Sequence, residues 1–480
     1  MERQHFAGHL LHSNDARWDR AARTHRRTNS PGPRRSLVTG KLRTSYRSLA
    51  HPDDLTPCLP WSMIRMSPSL YTRIGLAGAV AVVLALAGIA AAQTLAKTKL
   101  STASSMNLPD YLVPVTDPDT GATIVRITTP GPLGNGLACQ RAYCTHRYSS
   151  AQAWNADQTL LLIANGCNGL CFLDGRTYVP LFRRQREDEC EWHPRDPERM
   201  ICVIGRKISL WTPRTNAEEI MLMAEGYRGL QFGPGKGNPS QDGRRIAVRG
   251  TRADGVVVAF AFDLVSRQKF PDIEVGKLPG RDGSCEISAL GSYVSCSRWV
   301  DGKAEAFIYT VAGDLVQSWT EHHRPSHGDM AVDADGREIY VGISKSDPDI
   351  YQVIKRRLDD GVVTALAPRG EASHASTRAI HWPGWVILSY GGDPAEIAQL
   401  PKFAPFAREV IALRIDGSGE FRRIAYTRNV PHDYWSETHA SPSPDGSQVI
   451  WSSNWGVAGG PVFDFVTRLD APDRTSALSR

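Results

Sequence analysis

The sequence predicts an all-β fold, a closed ring of seven four-stranded antiparallel blades, and three observations predict it. A tight turn followed by a β-branched or alternating apolar run recurs along the chain, its spacing suits one blade, and nothing between 120 and 470 carries a sustained 3.6-residue apolar period. The best copy is Ser443-Pro444-Asp445-Gly446 ahead of Gln448-Val449-Ile450-Trp451. In such a turn Pro presets one backbone angle, Gly accepts a positive φ and the Asp side chain caps its own turn. Looser copies stand at Asn155-Ala156-Asp157-Gln158, Ser240-Gln241-Asp242-Gly243 and Asp333-Ala334-Asp335-Gly336, and weaker ones at His193-Pro194-Arg195-Asp196, Leu290-Gly291-Ser292 and Trp382-Pro383-Gly384.

Anchored on Asp157, Asp196, Asp242, Gly291, Asp335, Gly384 and Asp445, the gaps run from about 40 to about 60 residues, the length of one four-stranded β-propeller blade. Residues 121–470 therefore read as a single seven-bladed β-propeller, although length alone suggests two or three domains. Gly121 to Ile127 supplies a strand candidate before the first anchor and Val462 to Val466 one after the last, so the two chain ends meet and leave no exposed sheet edge.

The front of the chain is a different object. Residues 1–66 hold 12 Lys/Arg against 5 Asp/Glu while the whole chain is +6, so the basic balance belongs to this leader. It is rich in Pro, Ser and Arg, lacks apolar periodicity and reads as disordered. It is either a basic arm or a mistranslated upstream region, and the second is preferred because Met63 and Met66 would each start a conventional export signal. Residues 67–93 have the basic flank, apolar run and Ala90-Ala91-Ala92 end of a secretory signal, and the run is long enough to act as an uncleaved anchor instead. Residues 94–120 read as linker and 471–480 as tail. The expectation is an exported, periplasmic or secreted monomer that meets a membrane only through its N-terminal apolar segment and binds no nucleic acid.

Cysteine usage agrees with export. Beyond Cys58 the cysteines fall into local couples, Cys139 with Cys144, Cys167 with Cys171, Cys190 with Cys202 and Cys285 with Cys296. The last two couples flank anchor turns, which puts each on paired strands of one hairpin within disulfide reach. The spacings do not supply a zinc cluster.

In a propeller, residues just before the anchor strands converge on one mouth of the central channel. The sequence alignment of anchors sets His439 level with Asp329, and His327, His374 and Glu437 one or two residues further out, with His146 beyond them. His327, Asp329, His374, Glu437 and His439 make a mixed nitrogen and oxygen set suited to Mn or Zn. His439 and His374 are candidate acid–base residues, with Arg378 as a catalytic cation. His146, Lys236, Arg228 and Tyr434 are candidate substrate-binding residues. Among the remaining motifs, Gly233-Pro234-Gly235-Lys236-Gly237 lacks the Gly-Lys-Ser/Thr of a phosphate loop, and no Gly-x-Ser-x-Gly occurs.

The repeated Asp-Gly turns before strands, Trp192-His193-Pro194 and the closing Ser452-Ser453-Asn454-Trp455 resemble the TolB-like and WD40-like exported propellers. A His just before a Ser-Pro-Asp-Gly turn, here His439, is similar to the propeller lyases that degrade oligogalacturonate. That resemblance implies a divalent metal held by several His and a Gln, and β-elimination on a uronate. This chain departs from it in having Glu437 two residues before His439 and no Gln in the local motif. Two function classes follow: a metal-assisted lyase or hydrolase acting on an exported, anionic carbohydrate, and a non-catalytic propeller that binds a periplasmic protein or a glycan. Fold alone does not choose between them.

Overall fold

A computed structural model describes residues 103–186, 189–232, 238–278, 281–300, 303–319, 325–392 and 405–469. The basic leader, the apolar segment, Lys236 and the C-terminal tail lie outside the described residues. Seven antiparallel blades form a propeller ring, and the only helical pieces among the described residues are single 3-10 turns such as Val275–Lys277 and Tyr434–Ser436. No described helix is long and apolar enough to cross a membrane.

From the channel outward, blade two runs Cys190–Trp192, Met200–Ile204, Lys207–Thr212 and Ala217–Met223. Blades three to six repeat this order, starting from inner strands Tyr227–Gln231, Arg281–Ile287, Pro325–Val332 and Ala372–Ser376. In blade one the inner strand shrinks to a single bridge, Trp154 with Leu161, ahead of Leu160–Ile163, Leu170–Asp174 and Pro180–Arg184. All seven anchor turns join the inner strand of a blade to its second strand.

The turns at Asp445 and Asp242 share one hydrogen-bonding device. Asp445 Oδ1 accepts from Ser447 N at 2.9 Å and Ser443 Oγ accepts from Gln448 N at 3.1 Å. Asp242 and Ser240 repeat both bonds, to Arg244 N and Arg245 N, each at 2.9 Å. Gly446 and Gly243 take φ of 73° and 75°, and a side chain there would also collide with Trp382 or His193 of the preceding blade. His193 and Trp382 are thus packing residues of adjoining turns.

Second strands read as continuous apolar runs because both of their faces are buried. Leu161 and Ile163 pack toward blade seven while Leu160 and Leu162 pack toward blade two. Ile201 and Val203 likewise face blade three, with Met200 and Cys202 on the opposite side. Each of the seven apolar clusters fills the gap between two neighbouring blades.

Blade seven closes the ring. Ser441–Pro442, Gln448–Ser453 and Val462–Arg468 come from the end of the chain, and Thr123–Arg126 from its beginning pairs antiparallel with Phe465 to Arg468. The stretch read as linker before residue 121 is in part bound to the ring. Val115–Thr116 pairs with Thr123 and Ile124, Arg428 grips Asp117 and Asp119, and Trp455 Nε1 donates to Met106 O at 3.0 Å.

Two predicted site residues are used elsewhere in the ring. Asp329, expected as a metal ligand, is fully buried and holds Arg378 by two bonds, Nε to Oδ2 at 2.7 Å and Nη2 to Oδ1 at 2.8 Å. Its carboxylate also accepts from Thr377 N at 2.9 Å and Met330 N at 2.9 Å. Arg378, expected to meet substrate, is 7% exposed and bonds Met330 O as well. The pair ties the inner strand of blade five to that of blade six and leaves neither charge for a ligand.

All four cysteine couples are disulfides: Cys139–Cys144, Cys167–Cys171, Cys190–Cys202 and Cys285–Cys296. The latter two join directly opposed residues of an inner hairpin, with Cα atoms 4.1 Å apart. Peptide mapping without reductant is expected to recover these linkages, and removing Cys285–Cys296 to cost about 2–3 kcal/mol of stability. Free thiols at these positions would contradict the assignment. Arg378→Ala, which strands the Asp329 charge, is expected to lower stability by about 3–5 kcal/mol in chemical denaturation. A loss below about 1 kcal/mol would mean that the ion pair is dispensable.

Candidate functional site

Three blades deliver histidines to one channel mouth, each from a stretch of irregular backbone. In blade five the pairing slips between Ser326 and Asp329, and His327 takes φ of 51°. Gly328 follows because a Cβ there would collide with Val341 O. In blade six the register slips between Ala372 and His374. Such bulges re-aim a side chain that a regular strand would send sideways into the next blade.

His439 has φ of 47° and sits just before the inner strand of blade seven. Its neighbours hold it from two blades: Ser452 N donates to Thr438 O at 2.8 Å, and Ala440 N donates to Ser389 Oγ at 2.8 Å. Glu437 closes the 3-10 turn Tyr434–Ser436, which Asp433 caps by accepting from Ser436 N. Asn429 Nδ2 secures the same turn through Ser436 O.

His374, Glu437 and His439 each offer one ligand atom, and these atoms all lie within 4.8 Å of one another. Glu437 Oε2 is 3.5 Å from His374 Nε2 and 3.5 Å from His439 Nε2. Two donors on a tetrahedral ion with bonds of about 2.1 Å stand about 3.4 Å apart, so the spacing suits coordination. His439 Nε2 is buried and lacks a hydrogen-bond partner. A buried polar atom left this way is costly unless something else binds it. The two imidazoles are buried, and Glu437, about one-third exposed, faces solvent.

His327 reaches this group through His374, its Nδ1 lying 3.2 Å from His374 Nε2. Tyr148, which the sequence did not single out, stands over the cluster: its ring is 5.0 Å from that of His374 and 4.9 Å from that of His439, and its hydroxyl is 3.5 Å from His327 Nδ1. Tyr434 lies 5.2 Å from His439, and Trp435 beside it stacks on Tyr143 at 4.4 Å. Tyr148 and Tyr434 thus both pack against His439.

The other candidates are placed differently. His146 is buried rather than open to substrate: its Nδ1 meets Asp464 Oδ1 at 2.9 Å and its Nε2 meets His439 O at 2.7 Å. Burial opposes charge on this imidazole, and the adjacent Asp464 carboxylate outweighs it, so its pKa stands above the ordinary value. Arg228 is exposed, with its guanidinium on Ala253 O at 2.8 Å. Arg147 faces Glu191 in a two-pronged pair, 2.9 and 2.8 Å, that links the first blade to the second.

No known protein family and no curated protein matches the chain. Among solved structures it is similar to an oligogalacturonate lyase in complex with manganese, at 15% identity and a TM-score of 0.50, over 77% of this chain and 99% of that one. It is similar to an oligogalacturonate lyase from Vibrio parahaemolyticus at 12% identity and a TM-score of 0.50, over 75% of this chain and 96% of that one. TolB from Acinetobacter baumannii aligns over 56% of this chain and 61% of its own, at 17% identity and a TM-score of 0.33. At such identities the shared feature is the propeller architecture, the likeness that the turns and strands of the sequence indicate.

Proposed function

We propose that this chain is an exported propeller lyase, acting on an anionic, uronate-containing carbohydrate, with a divalent ion, Mn or Zn, held by His374, Glu437 and His439. The observation that carries the reading is the buried His439 Nε2, without a hydrogen-bond partner, in a group of three ligand atoms within 4.8 Å. Mixed imidazole and carboxylate donors suit these ions better than Ca, which takes oxygen ligands. Similarity to a lyase that is itself a manganese complex supports the same choice. Four disulfides support an oxidising, extracytoplasmic location.

When bound, the ion would supply positive charge beside the uronate carboxylate, where negative charge builds during β-elimination. The protein's own residues do the rest. A neutral imidazole takes the C5 proton, the electron pair forms the C4–C5 double bond, and the C4–O bond breaks, its electrons going to the leaving oxygen, which takes a proton from solvent. His327, only partly buried and next to His374, is the base in this reading. Tyr148 and Tyr434 stand beside His439 and offer ring faces to a sugar. Arg378 takes no part, because Asp329 holds it.

His439→Ala is expected to release the ion and to lower turnover on oligogalacturonate by about 100-fold or more, read as loss of the ultraviolet absorbance of the unsaturated product. Melting temperature measured without metal should stay close to that of the wild type, since ligand binding alone accounts for the difference between loaded proteins. Full activity in His439→Ala, together with metal-free wild-type protein, would leave the binding-propeller reading in its place.

A further inference from the structure

We propose that His146 is a positioning residue whose hydrogen bond to the His439 carbonyl fixes the backbone of His439 and so aims its Nε2 into the metal group; the inference rests on the metal reading. His146 lies in blade one's entry segment, 293 residues from His439 in sequence, and is 2% exposed. One ring nitrogen meets His439 O at 2.7 Å and the other meets Asp464 Oδ1 at 2.9 Å. Asp464 is itself immobilised. It accepts from His146 N at 2.5 Å and Ser452 Oγ at 2.7 Å, while its own N donates to Thr128 Oγ1 at 2.9 Å. Asn165 Nδ2 donates to His146 O at 2.7 Å, which fixes the imidazole's own backbone.

The consequence falls on one peptide plane. His439 is in the left-handed region at φ 47°, which a residue with a Cβ enters only when held. Ala440 N, on the far side of the same peptide, is anchored on Ser389 Oγ. His146 supplies the matching anchor on the carbonyl side. With both ends of the peptide gripped, the plane cannot turn, and rotation of that plane is what would swing His439 Nε2 away from Glu437 and His374. A donor that reached the carbonyl without being braced on Asp464 would satisfy the oxygen, but a side chain braced on Asp464 that stopped short of the carbonyl would leave the peptide free.

Two substitutions separate these arms. In His146→Asn the amide nitrogen occupies the place of Nδ1, keeping Asp464 and losing His439 O; in His146→Gln it reaches the place of Nε2 and keeps His439 O. Titrating Mn2+ into the full-length, disulfide-intact proteins by calorimetry should show affinity about 10–100-fold lower in H146N and within about threefold of wild type in H146Q. Equal losses in the two variants, or no loss in H146N, would overturn the inference. If H146N does not fold, H146A, which also removes the donor to His439 O, should weaken Mn2+ by more than H146Q does, and wild-type affinity in H146A would overturn the inference. If the wild type binds neither Mn2+ nor Zn2+, the metal reading falls by itself. The positioning role is then read from the His439 imidazole signals in nitrogen-correlated NMR spectra, which must move in H146N and hold in H146Q, and the reverse or no movement would sink it.

Discussion

Every blade is buried on both faces by its neighbours, and that constraint governs the rest of the molecule. A sheet that is apolar on both sides cannot end in solvent, so the row of blades must return on itself. The return is made by Thr123–Arg126 laid against the third strand of blade seven, and by polar bonds across the joint to blade one. Tyr178 OH donates to Gln448 Oε1 at 2.6 Å, and Ser441 Oγ donates to Ala151 O at 3.1 Å. The histidine cluster sits beside this joint, with His439 from one side of it and Tyr148 and His146 from the other. Rigidity of the closed ring is therefore also rigidity of the site, which is what close placement of ligand atoms requires.

Within that frame the site is built by local departures from regular structure. A strict β-strand sends alternate side chains into the two neighbouring blades, so none points along the channel axis toward the mouth. His327 and His439 escape by taking positive φ, and His374 by a slip of register. These departures strain the chain, and the surrounding bonds to Ser389, Ser452 and His146 hold the one at His439 in place.

The turns made the fold legible. Asp445-Gly446 and Asp242-Gly243 are local chemistry, written within a few residues, and seven such signals at blade spacing leave little choice of architecture. His374, Glu437 and His439 were legible as well, since counting back from an anchor turn fixes a residue's height in the channel. Height does not fix direction. Asp329 stands at the expected level yet turns to Arg378 of the next blade, and a buried carboxylate beside a guanidinium makes that pair almost unavoidable. His146 was read as open to substrate because its segment has no alternating pattern to say which way it faces. Tyr148 carried no signal at all, because its closeness to His439 exists only once the ends of the chain have met.

The source of the fourth strand of blade seven also sets an order of events. Thr123–Arg126 is among the first parts of the ring to be synthesised, while its partner Val462–Arg468 is among the last. During translation this early segment has no mate, and His146 lacks its partners Asp464 and His439 until the end of the chain follows. The channel mouth consequently comes into being at one late step, after all seven blades have emerged. A chain halted before that step holds the histidines of blades five and six but not the arrangement around His439, so an incomplete or clipped molecule lacks the histidine group as a whole.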